Sequence, residues 1–117
     1  MGLAASQARF LQLTARKSDL EFKGQQVNQE RTINAHNMEQ LIEQMQAAAQ
    51  VNGDGDLVNP SLYYTIQAEL ETKHSIDQQL ELELKNVDTQ HQEVQTEVDA
   101  VGKVIDKNID MTYKTFA

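Results

Sequence analysis

Residues 52–61 read NGDGDLVNPS, and this stretch decides the fold because it holds the only cluster of Gly and Pro in the 117-residue chain. Gly53 and Gly55 permit a positive φ, which most residues avoid, so they favour the end of a helix. Asn59 is a good N-cap residue, and Pro60 suits the first turn of a new helix. The pattern therefore predicts a turn over residues 51–60 that ends one helix and begins another.

The same stretch also has part of the pattern of a calcium loop, which leaves a second interpretation open. Such a loop places oxygen ligands at positions 1, 3 and 5, Gly at 6 and an acid at 12. With Gly55 at position 6, positions 1 and 12 are Gln50 and Ser61, which carry no charge. The calcium candidates are Asn52, Asp54 and Asp56. We interpret the stretch as a helix-connecting turn and keep a small calcium-binding module as an alternative.

Apolar residues before this turn recur every seven positions in two columns, which is the pattern of a helix packed along its length against another helix. Gly24 and Arg31 interrupt the second column and cannot be ordinary core residues. Asn34 stands where a buried Asn would specify register. The first column is Leu13, Leu20, Val27, Asn34, Leu41 and Ala48, and the second is Phe10, Lys17, Gly24, Arg31, Met38 and Met45.

The part of the chain after the turn repeats this pattern more strongly, without a break in phase. The polar interruptions are Lys73, Asp77 and His91, and protonation of His91 would place a charge in the seam between the helices. The columns are Ile66, Lys73, Leu80, Val87, Val94, Val101, Asn108 and Tyr63, Leu70, Asp77, Leu84, His91, Val98, Ile105, Thr112.

The two patterns predict an all-α fold in which two long antiparallel helices form a coiled-coil-like hairpin. We expect a single domain over residues 1–117, with helix 1 at about 3–50 and helix 2 at about 61–115. Several apolar residues lie off the main stripe and would form a second apolar face, which favours self-association. They are Ile33, Ile42, Ile76, Leu82, Val104 and Ile109.

Composition and charge argue against several classes of function. The net charge is −8, with +2 over residues 1–31, −11 over 32–99 and +1 over 100–117. Nucleic acid is not expected as a partner because phosphate binding needs a basic stripe. No apolar run is long enough for a membrane span. The distribution would instead allow the ends of one copy to contact the acidic middle of another.

The histidines, carboxylates and serines of the chain form no catalytic or metal-binding pattern. His36, His74 and His91 are too far apart to form a helical metal pair. The carboxylates spaced four apart have no Glu-x-x-His partner of the kind that di-iron bundles use. There are no cysteines, and no serine has a nucleophile context. We therefore expect neither an enzyme nor a bound cofactor.

The segment VDAVGKVIDKNIDMTYKTF, residues 98–116, resembles the C-terminal helix of type III secretion needle subunits, which are short helical hairpins with a Pro-containing turn. The segment GLAASQARFLQLTARKSDLEFKGQQVNQ, residues 2–29, is similar to the N-terminal helix of flagellar rod and hook proteins. The chain is longer than the needle subunits, its C-terminal motif is spaced differently, and it has almost no central domain of the flagellar kind. The resemblance implies a bacterial subunit that is exported without a cleaved signal and polymerises through its terminal helices outside the cell.

We therefore expect a structural subunit that self-assembles into a helical filament or tube, with itself as partner and an export chaperone as a possible second partner. The alternative is a cytoplasmic coiled-coil binding module, or an export chaperone that holds a client helix. The predicted self-assembly residues are Phe10, Leu13, Leu20, Val98, Val101, Ile105, Ile109 and Phe116.

Overall fold

A computed structural model describes residues 2–116, with side chains described for residues 2–114. Helix α1 spans Leu3–Ala48 and helix α2 spans Pro60–Phe116. Between them, the described residues contain only one isolated antiparallel bridge, which joins Val51 and Leu57. The predicted all-α helical hairpin is confirmed. Helix α1 ends two residues earlier than the predicted 50, and α2 begins at Pro60 itself.

The buried positions of α1 recur at every seventh residue from one end of the helix to the other. A second column, offset by three positions, is half-buried throughout. Burial with a seven-residue period means that one narrow stripe of each helix faces the other, as in coiled coils. The buried residues of α1 are Ser6, Leu13, Leu20, Val27, Asn34, Leu41 and Ala48, and those of α2 are Ile66, Leu80, Val87 and Val94.

The chain forms two compact units, and each helix contributes to both. The first unit comprises Met1–Gln25 and Lys85–Ala117, and its core consists of Leu13, Leu20, Val87 and Val94, with Val98 and Val101 packed against them. The second unit comprises Gln26–Leu84, and it contains a cluster of Leu41, Ala48 and Ile66, with Met45, Tyr63 and Leu70 packed against them.

The corner between the helices is held by side-chain hydrogen bonds to the backbone. The Asn52 Oδ1 atom accepts from the backbone N–H of Asp54 at 3.0 Å and of Asp56 at 3.3 Å, as Asn side chains commonly do in turns. Of the two corner glycines, only Gly55 adopts a positive φ, at 85°. The Asn59 Oδ1 atom accepts from the N–H of Leu62 at 3.2 Å, which is the bond of an N-cap.

Candidate functional site

Four of the eight predicted self-assembly residues belong to the core of the first unit. Leu13 and Leu20 are buried, and Val98 and Val101 pack against the same core of the first unit. The structure thus brings these four together within one chain. Leu13 and Leu20 could take part in a contact between copies only if α1 or α2 were exchanged between chains.

The remaining predicted self-assembly residues lie nearer the surface. Phe10 and Ile105 are half-buried at the edge of the seam. Ile109 is 48% exposed, so it can contact a second copy without any change in the hairpin. Phe116 belongs to α2, but its side chain lies outside the described part of the structure.

Two polar residues of the seam in the second unit form a direct ion pair between the helices. Arg31 donates from Nε to Asp77 Oδ1 at 3.1 Å and from Nη2 to Asp77 Oδ2 at 3.4 Å. The hydrogen bond from Arg31 lowers the pKa of Asp77, and the same bond raises the pKa of Arg31. Two parallel donors and two acceptors match only when the helices are in one register. Arg31 and Asp77, the two polar residues that interrupt the apolar columns, are therefore paired with each other.

Asn34 lies close to this ion pair and is almost fully buried, with 6% of its surface exposed. Its side-chain amide donates to the backbone carbonyl of Lys73 at 2.8 Å and lies 3.9 Å from the sulfur of Met38. Loss of this acceptor would leave a buried amide without a partner, which is unfavourable. Asn34 thus adds a second polar contact between the helices in the same unit as the ion pair.

The first unit has its own polar contacts between the helices. His91 Nε2 lies 3.0 Å from Glu21 Oε1, and Arg9 Nη2 donates to Glu97 Oε2 at 3.1 Å. The Glu21 carboxylate thus lies directly beside the His91 imidazole. Both contacts are largely exposed to solvent, so we assign them little stability.

Ser6 differs from the other seam residues because its buried side chain has no hydrogen-bond partner. It is 0% exposed, and its hydroxyl oxygen makes no hydrogen bond in the described structure. Burial of a hydroxyl without a partner is unfavourable. The first heptad column predicted for α1 starts at Leu13. Extending it by seven positions towards the N-terminus gives residue 6, so the sequence could have predicted that Ser6 is buried.

The calcium candidates Asn52, Asp54 and Asp56 are exposed at the corner. Asn52 Oδ1 already accepts two backbone N–H groups, so this oxygen is engaged within the corner. Among the described residues, no group of three or more His, Cys, Asp or Glu side chains is placed to hold a metal ion.

The sequence reasoning missed an apolar groove beside the corner, within the second unit. The groove has a volume of about 370 Å³, and its lining includes Ala47, Ala48, Val58, Leu62 and Ile66. That volume lies at the lower end of the range for ligand-sized clefts, which is roughly 300–1,000 Å³. Val58 lies in the turn and Leu62 in the first turn of α2, both off the heptad columns, and this placement was the signal that could have revealed the groove.

No helix in the described part of the chain is both long enough and apolar enough to cross a membrane. Comparison with protein families, with curated proteins and with solved structures finds no match to this chain.

Proposed function

We propose that this protein is a structural subunit that self-assembles into a helical filament or tube. One observation carries the proposal: the described residues include nine buried hydrophobic residues but thirteen large hydrophobic residues that remain exposed. Single exposed apolar side chains are common on monomers, whereas a contiguous exposed apolar patch is typical of a surface that a partner covers. A two-helix hairpin has no third layer that could cover them.

The seam stripe is occupied within the chain, so assembly uses side chains outside it. Ile109, Leu82 and Phe22 belong to this outward-facing set, with exposed fractions of 48%, 62% and 62%. Among them, Ile109 has apolar neighbours four positions away on the same side of α2, Ile105 and Tyr113. Copies would thus pack as intact hairpins, and the eight residues predicted from the sequence would contribute chiefly through Ile109.

The experiment that tests this proposal is negative-stain electron microscopy of the purified protein, together with sedimentation velocity over a range of concentrations. Regular filaments or tubes are expected. Ile109→Lys should abolish them, because a lysine in an apolar contact between copies leaves a charge without water. Gln90→Lys on the same helix is the matched control, since position 90 is already polar and exposed.

Circular dichroism shows whether each variant keeps its helices. If the wild-type protein remains monomeric at every concentration, self-assembly is wrong. If Ile109→Lys and Gln90→Lys both assemble like the wild type, the assigned surface is wrong.

The groove beside the corner favours a second candidate, a coiled-coil binding module or export chaperone for a client helix. Such modules receive the apolar face of an amphipathic helix in a hydrophobic groove. The same micrographs separate the two functions, because a binding module would give uniform small particles. The filament proposal also includes export without a cleaved signal and a location outside the cell. Both follow from the resemblance to needle and flagellar subunits.

A further inference from the structure

The corner contains the only Asn-Gly pair of the chain, Asn52 and Gly53. In such a pair the backbone nitrogen of the glycine can attack the amide carbon of the asparagine side chain, because glycine has no Cβ to obstruct the approach. Both residues are exposed and lie outside the two helices. A Cβ built on Gly53 would have no other atom within 4 Å, so open space surrounds this residue.

Two backbone N–H groups of the corner already point at the atom on which charge develops in that attack. Attack on Asn52 Cγ gives a tetrahedral intermediate whose negative charge lies on Oδ1. This oxygen accepts from the N–H of Asp54 at 3.0 Å and of Asp56 at 3.3 Å. Donors that are in place before the reaction stabilise such an oxygen, as the donors of an oxyanion hole do in enzymes. The backbone of the corner thus favours the attack.

The attacking nitrogen, that of Gly53, is not engaged elsewhere. Within the described part of the chain, none of the hydrogen bonds of the corner uses the Gly53 N–H. Asp54 and Gly55 form a related pair that could close the same ring. The N–H of Gly55, however, donates to the backbone carbonyl of Asn52 at 3.1 Å. Gly53 is therefore the more available of the two nucleophiles.

The other six asparagines of the chain lack this combination. Asn59 precedes Pro60, whose nitrogen carries no hydrogen and cannot react in this way. The remaining five lie inside helices, where the N–H of the next residue donates to the preceding turn. They are Asn28, Asn34, Asn37, Asn86 and Asn108.

We propose that Asn52 is a site of spontaneous deamidation in the folded protein, with Gly53 as the attacking residue. The bond between Gly53 N and Asn52 Cγ forms, and the bond between Cγ and Nδ2 breaks. The amide proton of Gly53 leaves with the released ammonia, and a succinimide ring remains. Water then opens the ring at either of its two carbonyl groups, which gives aspartate or isoaspartate at position 52.

The two products change the corner in different ways. Aspartate keeps a side-chain oxygen for the N–H groups of Asp54 and Asp56, and it adds one negative charge to a chain whose net charge is −8. Isoaspartate lengthens the backbone by one carbon between residues 52 and 53. The bonds that residue 52 makes with Asp56 and Gly55, at 2.9 and 3.1 Å, then lose their spacing. Isoaspartate should therefore loosen the connection between α1 and α2. This chemistry needs a single chain, so it is independent of the proposed assembly.

Peptide mapping by mass spectrometry tests the proposal, after the purified protein has been kept at physiological temperature in mildly alkaline buffer. The peptide that contains Asn52 should progressively gain about one mass unit, and the peptides with helical asparagines should stay unchanged over the same time. A protease that cuts before aspartate but not before isoaspartate distinguishes the two products. The same incubation in concentrated urea gives the rate for the unfolded chain.

Gly53→Ala should slow the change at Asn52 severalfold, because a Cβ hinders the attack. The structure has room for it, and Gly53 does not need a positive φ. Gly102→Ala in α2 is the matched control and should leave the rate unchanged, and circular dichroism shows whether both variants are folded. If Asn52 stays intact in the folded protein but deamidates in urea, the corner protects it and the proposal is wrong. Equal rates at Asn52 and at the helical asparagines would also overturn it.

Discussion

Gly24→Ala provides a direct test of how closely the two helices approach in the first unit. A glycine inside a helix usually destabilises it, by about 1 kcal/mol relative to alanine. Gly24 nonetheless stands in the seam column, where a larger side chain would be expected to pack. A Cβ atom added there would lie 3.6 Å from Val87 Cγ1, which is ordinary van der Waals contact. The structure thus has room for the methyl group.

The expected gain in stability has two parts. Replacing glycine in a helix interior contributes about 1 kcal/mol. A fully buried methyl group contributes about 0.8 kcal/mol, and the half-buried position should give roughly half of that. The sum is about 1.4 kcal/mol. At about 4 °C per kcal/mol for a chain of this size, the midpoint of thermal unfolding should rise by about 5–6 °C.

Thermal and urea unfolding, followed by circular dichroism at a concentration where the protein is monomeric, measure this change. Gly102→Ala is the matched control, because it lies in α2 with no atom within 4 Å of an added Cβ. It should gain the helix contribution of about 1 kcal/mol alone. If Gly24→Ala lowers the free energy of unfolding while Gly102→Ala raises it, the added methyl group collides with α2. The claim that there is room for it beside Val87 would then be refuted.

Two further changes test the polar groups of the seam. Asp77→Asn should reduce stability at neutral pH. Arg31 lowers the pKa of folded Asp77 below its ordinary value of 3.8, so the stabilisation is complete above that value and is lost as pH falls through the lowered pKa. The difference in unfolding free energy between wild type and variant should be constant above about pH 5 and shrink in more acidic solution, and a difference independent of pH would contradict the assigned ion pair. Ser6→Ala should raise the free energy of unfolding by about 1 kcal/mol, because it removes a buried hydroxyl without a partner. A loss measured by urea unfolding would mean that the hydroxyl has a partner.

The secondary structure could be predicted from the sequence because it depends on the spacing of residues that are close together in the chain. A seven-residue repeat of apolar residues requires a helix with one face against a partner, whatever that partner is. The corner was predictable for the same reason, since Asn59 and Pro60 act on their immediate neighbours. The predicted boundaries lay within two residues of those in the structure.

Cross-helix partners could not be predicted in this way. Arg31 and Asp77 are 46 positions apart, and each alone reads as a polar interruption of a stripe. Their pairing depends on how far the second helix slides past the first, and the heptad pattern repeats itself after every shift of seven residues. The acceptor for Asn34 is a backbone carbonyl, which no residue type in the sequence reveals.

The sequence by itself determined that the chain forms two helices with matching stripes and a corner between them, because periodicity and capping are local. Only the tertiary structure decided that Leu13 and Leu20 pack against α2 of the same chain, so that the apolar surfaces left uncovered are the outward-facing side chains and the corner groove. The physical reason is that an apolar stripe specifies a helical partner but not which chain supplies it. The short connection between the helices brings the partner within reach at high effective concentration.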